Sequence, residues 1–146
     1  MTSFNIQNPQ FKEDIQERLT RQFFMKHIGF ELTKIEVADI EGEMPIENIH
    51  KQQTGFIHGG VTATLADIVQ GFAAFSLLKP GESVVTADLR VSYFNPGVGI
   101  TIKARGRVVK PGSVLHFCEA EIVCVDEQGK ETLIAKSTAT MCVVKH

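Results

Sequence analysis

The sequence is poor in the residues by which several classes of protein are recognised. Its 146 residues include no Trp and one Tyr, and 15 Lys and Arg are balanced by 17 Asp and Glu, for a formal net charge of −2. Nucleic-acid-binding domains normally carry a basic excess, and those that bind single strands use aromatic side chains on which bases stack. We therefore expect no nucleic-acid partner.

Cysteine is scarce as well. Cys118, Cys124 and Cys142 are odd in number and form no Cys-x-x-Cys pair, so neither a disulfide framework nor a zinc knuckle is predicted.

The first residues lack the apolar run of a signal peptide. The least polar stretch, 56–78, still contains an Asp, a His, a Gln and three Gly, which is too polar for a simple membrane span. We expect buried, reduced thiols, no membrane partner and a cytoplasmic location.

The length predicts a single domain over residues 1–146, with a helical segment over 1–29 ahead of a core over 30–146. Within the helical segment, apolar residues recur at every fourth position with charged residues between them. This spacing is typical of an amphipathic helix, which we expect to begin at Asn8-Pro9 and to end near Gly29.

The core shows two patterns in succession. Two short strands are expected over 30–47, around Glu41-Gly42-Glu43, and a polar turn segment over 48–57. A long apolar helix is then predicted from Gly60 to Leu78, because its apolar residues lack strand alternation.

After this helix the apolar residues alternate with polar ones in four runs. Short turns separate the runs, at Asn95-Pro96-Gly97, Lys110-Pro111-Gly112 and 126–129. Consecutive strands joined so closely are expected to pair as an antiparallel meander. The strongly apolar helix would cover the inner face of that sheet, which predicts an α+β fold.

Asp67 is the charged residue within the long helix. Helical spacing places it on a strip of small or polar residues: Gly60, Ala63, Thr64, Gln70, Gly71 and Ala74. A lone buried carboxylate is costly unless it is paired or solvated. It suits a general base, or alternatively a structural ion pair with an Arg that is distant in sequence.

Polar groups precede the same helix. Gly59 and Gly60 supply unpaired amides of the first helical turn, a position where an anion or an oxyanion can bind. His58 lies directly before them, and Gln52 lies in the polar segment. The alternative interpretation is a tight turn beside a structural histidine.

The run from His58 to Asp67, His-Gly-Gly followed by an acid nine positions after the His, resembles the signature of hotdog-fold acyl-CoA thioesterases of the phenylacetate-pathway type. The resemblance covers about residues 45–145 and includes Tyr93-Phe94-Asn95-Pro96. It implies an antiparallel sheet of about six strands wrapped around a long central helix. It also implies a homodimer or homotetramer, with active sites at the dimer interface.

The resemblance implies a role for five residues. Asp67 corresponds to the carboxylate that acts as general base or nucleophile, and Gly59 to the amide of the oxyanion hole. Gln52 corresponds to a polar loop residue, and His58 to the His that orients the thioester or supports the loop. Thr86 corresponds to a strand hydroxyl that positions the water.

Two further residues are candidates for substrate binding. Gly60 offers a second first-turn amide, and Arg90 a cation for the phosphates of coenzyme A. The other basic residues of the strands, Lys103, Arg105 and Arg107, are interpreted as a solvated outer face. The chain departs from some relatives at Gly71, where a Ser or Thr is common, and at Lys110-Pro111-Gly112-Ser113, where a basic Gly-Arg turn is common.

The expected function is hydrolysis of an aromatic or medium-chain acyl-CoA to free acid and coenzyme A. No cofactor is expected beyond the coenzyme A of the substrate, and no metal, since His50, His58 and Asp67 match no familiar ligand spacing. One alternative is a hotdog domain that binds acyl-CoA without catalysis. Another is a hotdog enoyl-CoA hydratase or dehydratase.

Overall fold

The computed structural model describes residues 3–145. The helices are α1 (Phe11–Leu19), α2 (Phe23–Ile28) and α3 (Gly59–Phe75), with a 3₁₀ turn at Asn48–His50. The strands are β1 (Glu31–Glu36), β2 (Asp39–Pro45), β3 (Glu82–Tyr93), β4 (Thr101–Lys110), β5 (Leu115–Val125) and β6 (Glu131–Lys145).

The strands form an antiparallel sheet in the order β1-β2-β4-β5-β6-β3, and α3 packs across its inner face. The α+β prediction of about six strands around a long helix is confirmed. The helix approaches the sheet closely at Gly106, where an added Cβ would lie 2.7 Å from the backbone carbonyl carbon of Val69. Glycine at this position of β4 therefore allows the two backbones to meet.

The meander is confirmed only for β4, β5 and β6. β3 pairs with β6 at the far edge of the sheet, and β2 takes the place beside β4. Residues 94–100 cross the ends of β6 and β5, where the amides of Phe94 and Ile100 donate to the carbonyls of Ile134 and Val125. A seven-residue connection is long enough to pass these two strands, so β3 and β4 do not form a hairpin.

The first hairpin also differs from the prediction. Its turn lies at Val37-Ala38, with Ala38 in the left-handed region, and not at Glu41-Gly42-Glu43, which lies within β2. Gly42 is there for a packing reason, since an added Cβ would lie 2.4 Å from the ring of Phe30. From the sequence alone, a glycine that leaves space for an aromatic ring cannot be distinguished from a glycine in a turn, and the turn was therefore predicted at the wrong position.

The N-terminal helical segment is broken into α1 and α2. The amides of Thr20 and Arg21 donate to carbonyls three residues earlier, which tightens the last turn of α1 and ends it. The predicted end at Gly29 is confirmed, with φ of 85° at the C-cap of α2. Helix α1 begins at Phe11, two residues later than predicted, because the Asn8 side chain forms a turn by accepting a hydrogen bond from the amide of Gln10.

The thiols are free within the described residues, as expected. Burial raises the pKa of Cys118 to about 12 and that of Cys124 to about 11, so both are unreactive packing residues. Cys142 is half-buried rather than buried.

Candidate active site

The start of α3 is fixed by His58. Its Nδ1 atom accepts a hydrogen bond from the Gly60 amide at 2.8 Å, and its carbonyl accepts one from the Val61 amide at 2.9 Å. The Gly59 amide makes no hydrogen bond within residues 3–145. The structure thus distinguishes the two glycines, and the first-turn donor left for an oxyanion is that of Gly59. Gly60 was expected to donate to the substrate, but His58 already occupies its amide.

Tyr93, at the end of β3, binds the Gly59 carbonyl, which belongs to the same peptide unit as the Gly60 amide. Its hydroxyl donates to the Gly59 carbonyl at 2.5 Å, and its ring packs against Gly59. Burial raises the pKa of Tyr93. The phenol is therefore a neutral donor near pH 7, and the peptide between Gly59 and Gly60 is held at both its N–H and its C=O.

A cleft of about 380 Å³ opens beside Gly59. Gln52 lies on its wall, and the Gln52 side-chain oxygen accepts hydrogen bonds from the Thr54 hydroxyl, at 2.6 Å, and from the Thr54 amide. The remaining lining is mostly apolar: Phe56, Ile57, Thr62, Tyr93, Phe94, Asn95, Pro96, Gly97 and Ile134. The structure thus brings Gln52, Gly59 and Tyr93 to one cleft.

His50 supports the candidate site by holding the loop before α3, a role that its sequence position did not predict. In the sequence it was considered only as a metal ligand. It is 2% exposed, its Nε2 lies 2.7 Å from the Ile28 carbonyl at the end of α2, and its Nδ1 accepts from the Glu47 amide. Its own carbonyl accepts from the His58 amide at 2.8 Å. His50 therefore ties the loop that carries Gln52 and His58 to α2. The feature of the sequence that could have indicated this role is the three-residue spacing from Glu47 to His50, which is that of a capping box at a helix start.

Asp67 and Thr86 form the second half of the candidate site. The Thr86 hydroxyl donates to Oδ1 of Asp67 at 2.7 Å. A bulge between Thr86 and Asp88 turns Thr86 to the α3 side, the side that Leu89 also faces. Strict alternation along β3 would have placed Thr86 and Leu89 on opposite sides, so the bulge creates this contact.

Asp67 is half-buried, which corrects the expectation of a buried carboxylate. In the described part of the chain no Lys or Arg forms an ion pair with it. Gln70 and Ala74, expected beside it on the open strip, are buried instead. The Gln70 side chain donates to the Ser137 hydroxyl at 2.9 Å. The open face of α3 is therefore narrower, and runs along Gly60, Ala63, Thr64, Asp67 and Gly71.

The two halves of the site are separated within one chain. Asp67 lies eight residues after Gly59, about 12 Å along the helix axis, and it does not line the Gly59 cleft. One half offers a hydrogen-bond donor for developing negative charge, and the other offers a carboxylate that can accept a proton.

Arg90 lies on the outer face of the sheet, away from α3. It lines a separate groove of about 280 Å³ together with Arg107 and Lys136. Those two cations pair with Glu119 and Glu121 across the strands, as expected of a solvated outer face. Within a single chain, Arg90 is therefore not close to Gly59 or Asp67.

No group of three or more His, Cys, Asp or Glu residues placed to hold a metal occurs within residues 3–145. The same range contains no helix that is both long and apolar enough to cross a membrane.

Comparison with known proteins identifies the family. The model of the Thioesterase superfamily matches residues 54–131, which is 78 of the 146 residues. The chain belongs to the Thioesterase superfamily. A curated relative, the proofreading thioesterase EntH of Klebsiella pneumoniae, is 29% identical over 104 residues, covering 71% of this chain and 74% of the relative. The chain is accordingly a thioester hydrolase.

Solved structures agree with this assignment. A thioesterase family protein from Silicibacter pomeroyi superposes with a TM-score of 0.90 at 31% identity, over 93% of this chain and 99% of that protein. BH2602 of Bacillus halodurans, solved with CoA, has a TM-score of 0.74 at 26% identity, with coverages of 92% and 84%. PaaI of Escherichia coli, from the phenylacetic acid degradation operon, has a TM-score of 0.81 at 18% identity, with 96% of each chain covered, and shows the shared hotdog fold. The resemblance seen in the sequence is confirmed.

Proposed function

We propose that this thioesterase hydrolyses acyl-CoA to a free acid and coenzyme A, in a site that two copies of the chain complete. The observation that carries the proposal is the division of the machinery. The Gly59 amide lies in one cleft, and the Asp67–Thr86 pair lies about 12 Å further along the same helix. A second copy of the chain can place its own carboxylate opposite that amide.

The chemistry follows from these groups. Attack on the thioester carbonyl puts negative charge on its oxygen, which the Gly59 N–H stabilises. Thr86 occupies Oδ1 of Asp67 and leaves Oδ2 to take the proton of the attacking water. If Asp67 attacks directly instead, Oδ2 forms a bond to the acyl carbon as the C–S bond breaks, and water then hydrolyses the resulting anhydride to the free acid and restores the carboxylate. In either case the thiolate departs without assistance from a metal.

The exposed edge of β3 supports the two-copy arrangement. β3 is twelve residues long, and within residues 3–145 it pairs through one edge only, with β6. Pairing of this edge with the same edge of a second copy would continue the sheet and satisfy the unpaired backbone groups. It would also cover the half-buried face around Asp67, because Thr86 on β3 touches that residue. A homodimer, alone or doubled to a homotetramer, is the proposed assembly.

The cleft supports an aromatic or medium-chain acyl group as the substrate. Its volume of about 380 Å³ lies near the lower end for small-molecule pockets, and its walls include Phe56, Tyr93, Phe94 and Ile134. The CoA-bound relative BH2602 supports coenzyme A as the thiol carrier. His58 and Gln52 are assigned positioning roles at the thioester end. The cytoplasmic location stays a prediction.

The decisive experiment is thiol release from a panel of acyl-CoAs: acetyl, hexanoyl, decanoyl, palmitoyl, benzoyl and phenylacetyl. We expect the highest kcat/KM for the medium-chain or the aromatic members. Binding of these compounds without thiol release would indicate a passive acyl-CoA domain. A change in enoyl absorbance without thiol release would indicate a hydratase or dehydratase.

The two-copy site is tested by mixing two inactive variants, Asp67→Asn and Gly59→Pro. In a mixed dimer one site receives both intact halves and the other receives neither. Equal mixing after dissociation should therefore restore about a quarter of wild-type activity. Mixtures that remain inactive, or full activity from a monomer in sedimentation, would contradict the arrangement.

A further inference from the structure

We propose that Tyr93 is a positioning residue for hydrolysis, which holds the peptide unit after Gly59 so that the Gly59 N–H stays aimed into the cleft. This inference rests on the proposed function of the Gly59 amide. It assigns to the single tyrosine of the chain a role in preparing the oxyanion donor, with no contact between its hydroxyl and the reacting atoms required.

The geometry carries the argument. The Tyr93 hydroxyl donates to the Gly59 carbonyl at 2.5 Å, and the amide of the same peptide unit donates to His58 Nδ1 at 2.8 Å. The plane of this peptide is therefore fixed at both ends. The Gly59 N–H itself belongs to the preceding peptide unit, whose carbonyl, that of His58, accepts from the Val61 amide at 2.9 Å. With the peptide units on both sides of the Gly59 Cα held, rotation that would turn the Gly59 N–H away from the cleft is restricted, and Tyr93 supplies one of the restraints.

The hydroxyl bond is not needed for the stability of the helix. The Gly59 carbonyl lies at the start of a 17-residue helix, where the amide four residues later is its ordinary partner. Tyr93 is 53% exposed and lies on the edge strand, so its ring contributes little to the core. A second hydrogen bond on a carbonyl that already has a partner is better explained by orientation than by folding.

The ring adds a steric part to the same role. A Cβ on Gly59 would lie 3.4 to 3.5 Å from three atoms of Tyr93, so the ring rests directly on the Gly59 backbone. Both lie on the wall of one cleft. The ring blocks the Gly59 backbone from moving toward β3, and the hydroxyl sets its rotation.

The test is the substitution Tyr93→Phe, which keeps the ring and removes only the hydroxyl. We expect kcat to fall about 10-fold, KM to change less than about 2-fold, and the melting temperature to stay within about 3 °C. The control is Thr20→Val, which removes a hydroxyl that donates to a helix carbonyl of α1, Glu17, at 2.6 Å and far from the cleft. It should leave kcat unchanged.

A double variant separates positioning from direct participation. In the Gly59→Pro background, where the amide proton is absent, Tyr93→Phe should have almost no further effect on kcat. If the two effects multiply, Tyr93 acts on the substrate by itself and the inference is wrong. It is also wrong if Tyr93→Phe leaves kcat at the wild-type value.

A measurement without substrate keeps this inference distinct from the proposed function. In Tyr93→Phe the Gly60 amide, released from a fixed plane, should exchange with solvent at least about 10-fold faster by NMR than in wild type. Faster exchange in a protein that releases no thiol would uphold the clamp and refute the proposed function. Unchanged exchange would refute the clamp, whatever the activity.

Discussion

Gly59→Pro tests the oxyanion donor, because it removes one N–H and leaves the start of α3 in place. Proline is favoured at the first position of a helix, and the residue before proline prefers an extended backbone. His58 already has φ of −62° and ψ of 134°. The site thus accepts proline, and Gly59 is outside the left-handed region where a side chain would be strained.

The magnitude follows from the role of the amide. The loss of one oxyanion donor costs about 3 kcal/mol of transition-state stabilisation, or about 100-fold in kcat. Gly60 cannot replace the lost donor, because its amide is taken by His58. KM should change little, since the ground-state carbonyl binds this amide weakly compared with the oxyanion.

The assay is steady-state thiol release with the best acyl-CoA of the panel, together with thermal unfolding of each variant. The matched control is Gly59→Ala, which retains the N–H and whose added Cβ makes only ordinary contact with Tyr93. We expect the alanine variant to keep kcat within about 3-fold of wild type. Equal losses in the alanine and proline variants, or a fully active proline variant, would refute the reasoning.

Four further outcomes are expected. Asp67→Asn should preserve folding and assembly, because its amide oxygen still accepts from Thr86, and should lower kcat at least about 100-fold in the thiol assay. Thr86→Val should lower kcat about 10-fold, while Thr86→Ser, which keeps the hydroxyl, should stay near wild type; equal activities would show that the hydroxyl has no role. Arg90→Gln should leave KM for acyl-CoA unchanged, because Arg90 lies on the outer face of the sheet, away from Gly59 and Asp67; a higher KM for acyl-CoA, but not for an acyl thioester of N-acetylcysteamine, which lacks the phosphates, would show a phosphate contact. Gly106→Ala should lower the free energy of unfolding by about 2 kcal/mol in urea titration, because its Cβ would overlap the backbone of Val69.

In the proposed two-copy assembly, the half-exposed Asp67 and the edge of β3 would both be covered by the second copy. The residues on this face of α3 are small or polar and are not part of the buried core. The N-terminal helices bear on the site through His50, which joins the end of α2 to the loop before α3. Their role is therefore more than extra packing, since this contact fixes one end of the loop that carries Gln52.

The sequence by itself determined the α+β class, the presence of α3 with its start to within one residue, and the identity of the residues at its start and middle. The end of α3 was predicted three residues too late, at Leu78 instead of Phe75, because the amides of Leu77 and Leu78 donate to carbonyls three residues earlier and close the helix in a turn. These features are local. Apolar spacing defines a helix or strand over a few residues, and His58-Gly59-Gly60 with Asp67 forms a motif within ten positions. The family could be inferred from that motif because all of its residues lie within one short stretch of the sequence.

Tertiary structure alone decided which groups meet. The pairing of β3 with β6, the bulge that turns Thr86 toward Asp67, and the contact of Tyr93 with Gly59 join residues 19 to 63 positions apart. In the sequence, Gly42 and Gly106 look like glycines of turns or flexible segments. In the structure each leaves space for a close contact, with the Phe30 ring at Gly42 and with the Val69 backbone at Gly106. Such contacts depend on the order of strands in the sheet and on the crossing of α3. Those are set by the packing of the whole core, and no short stretch of sequence contains them.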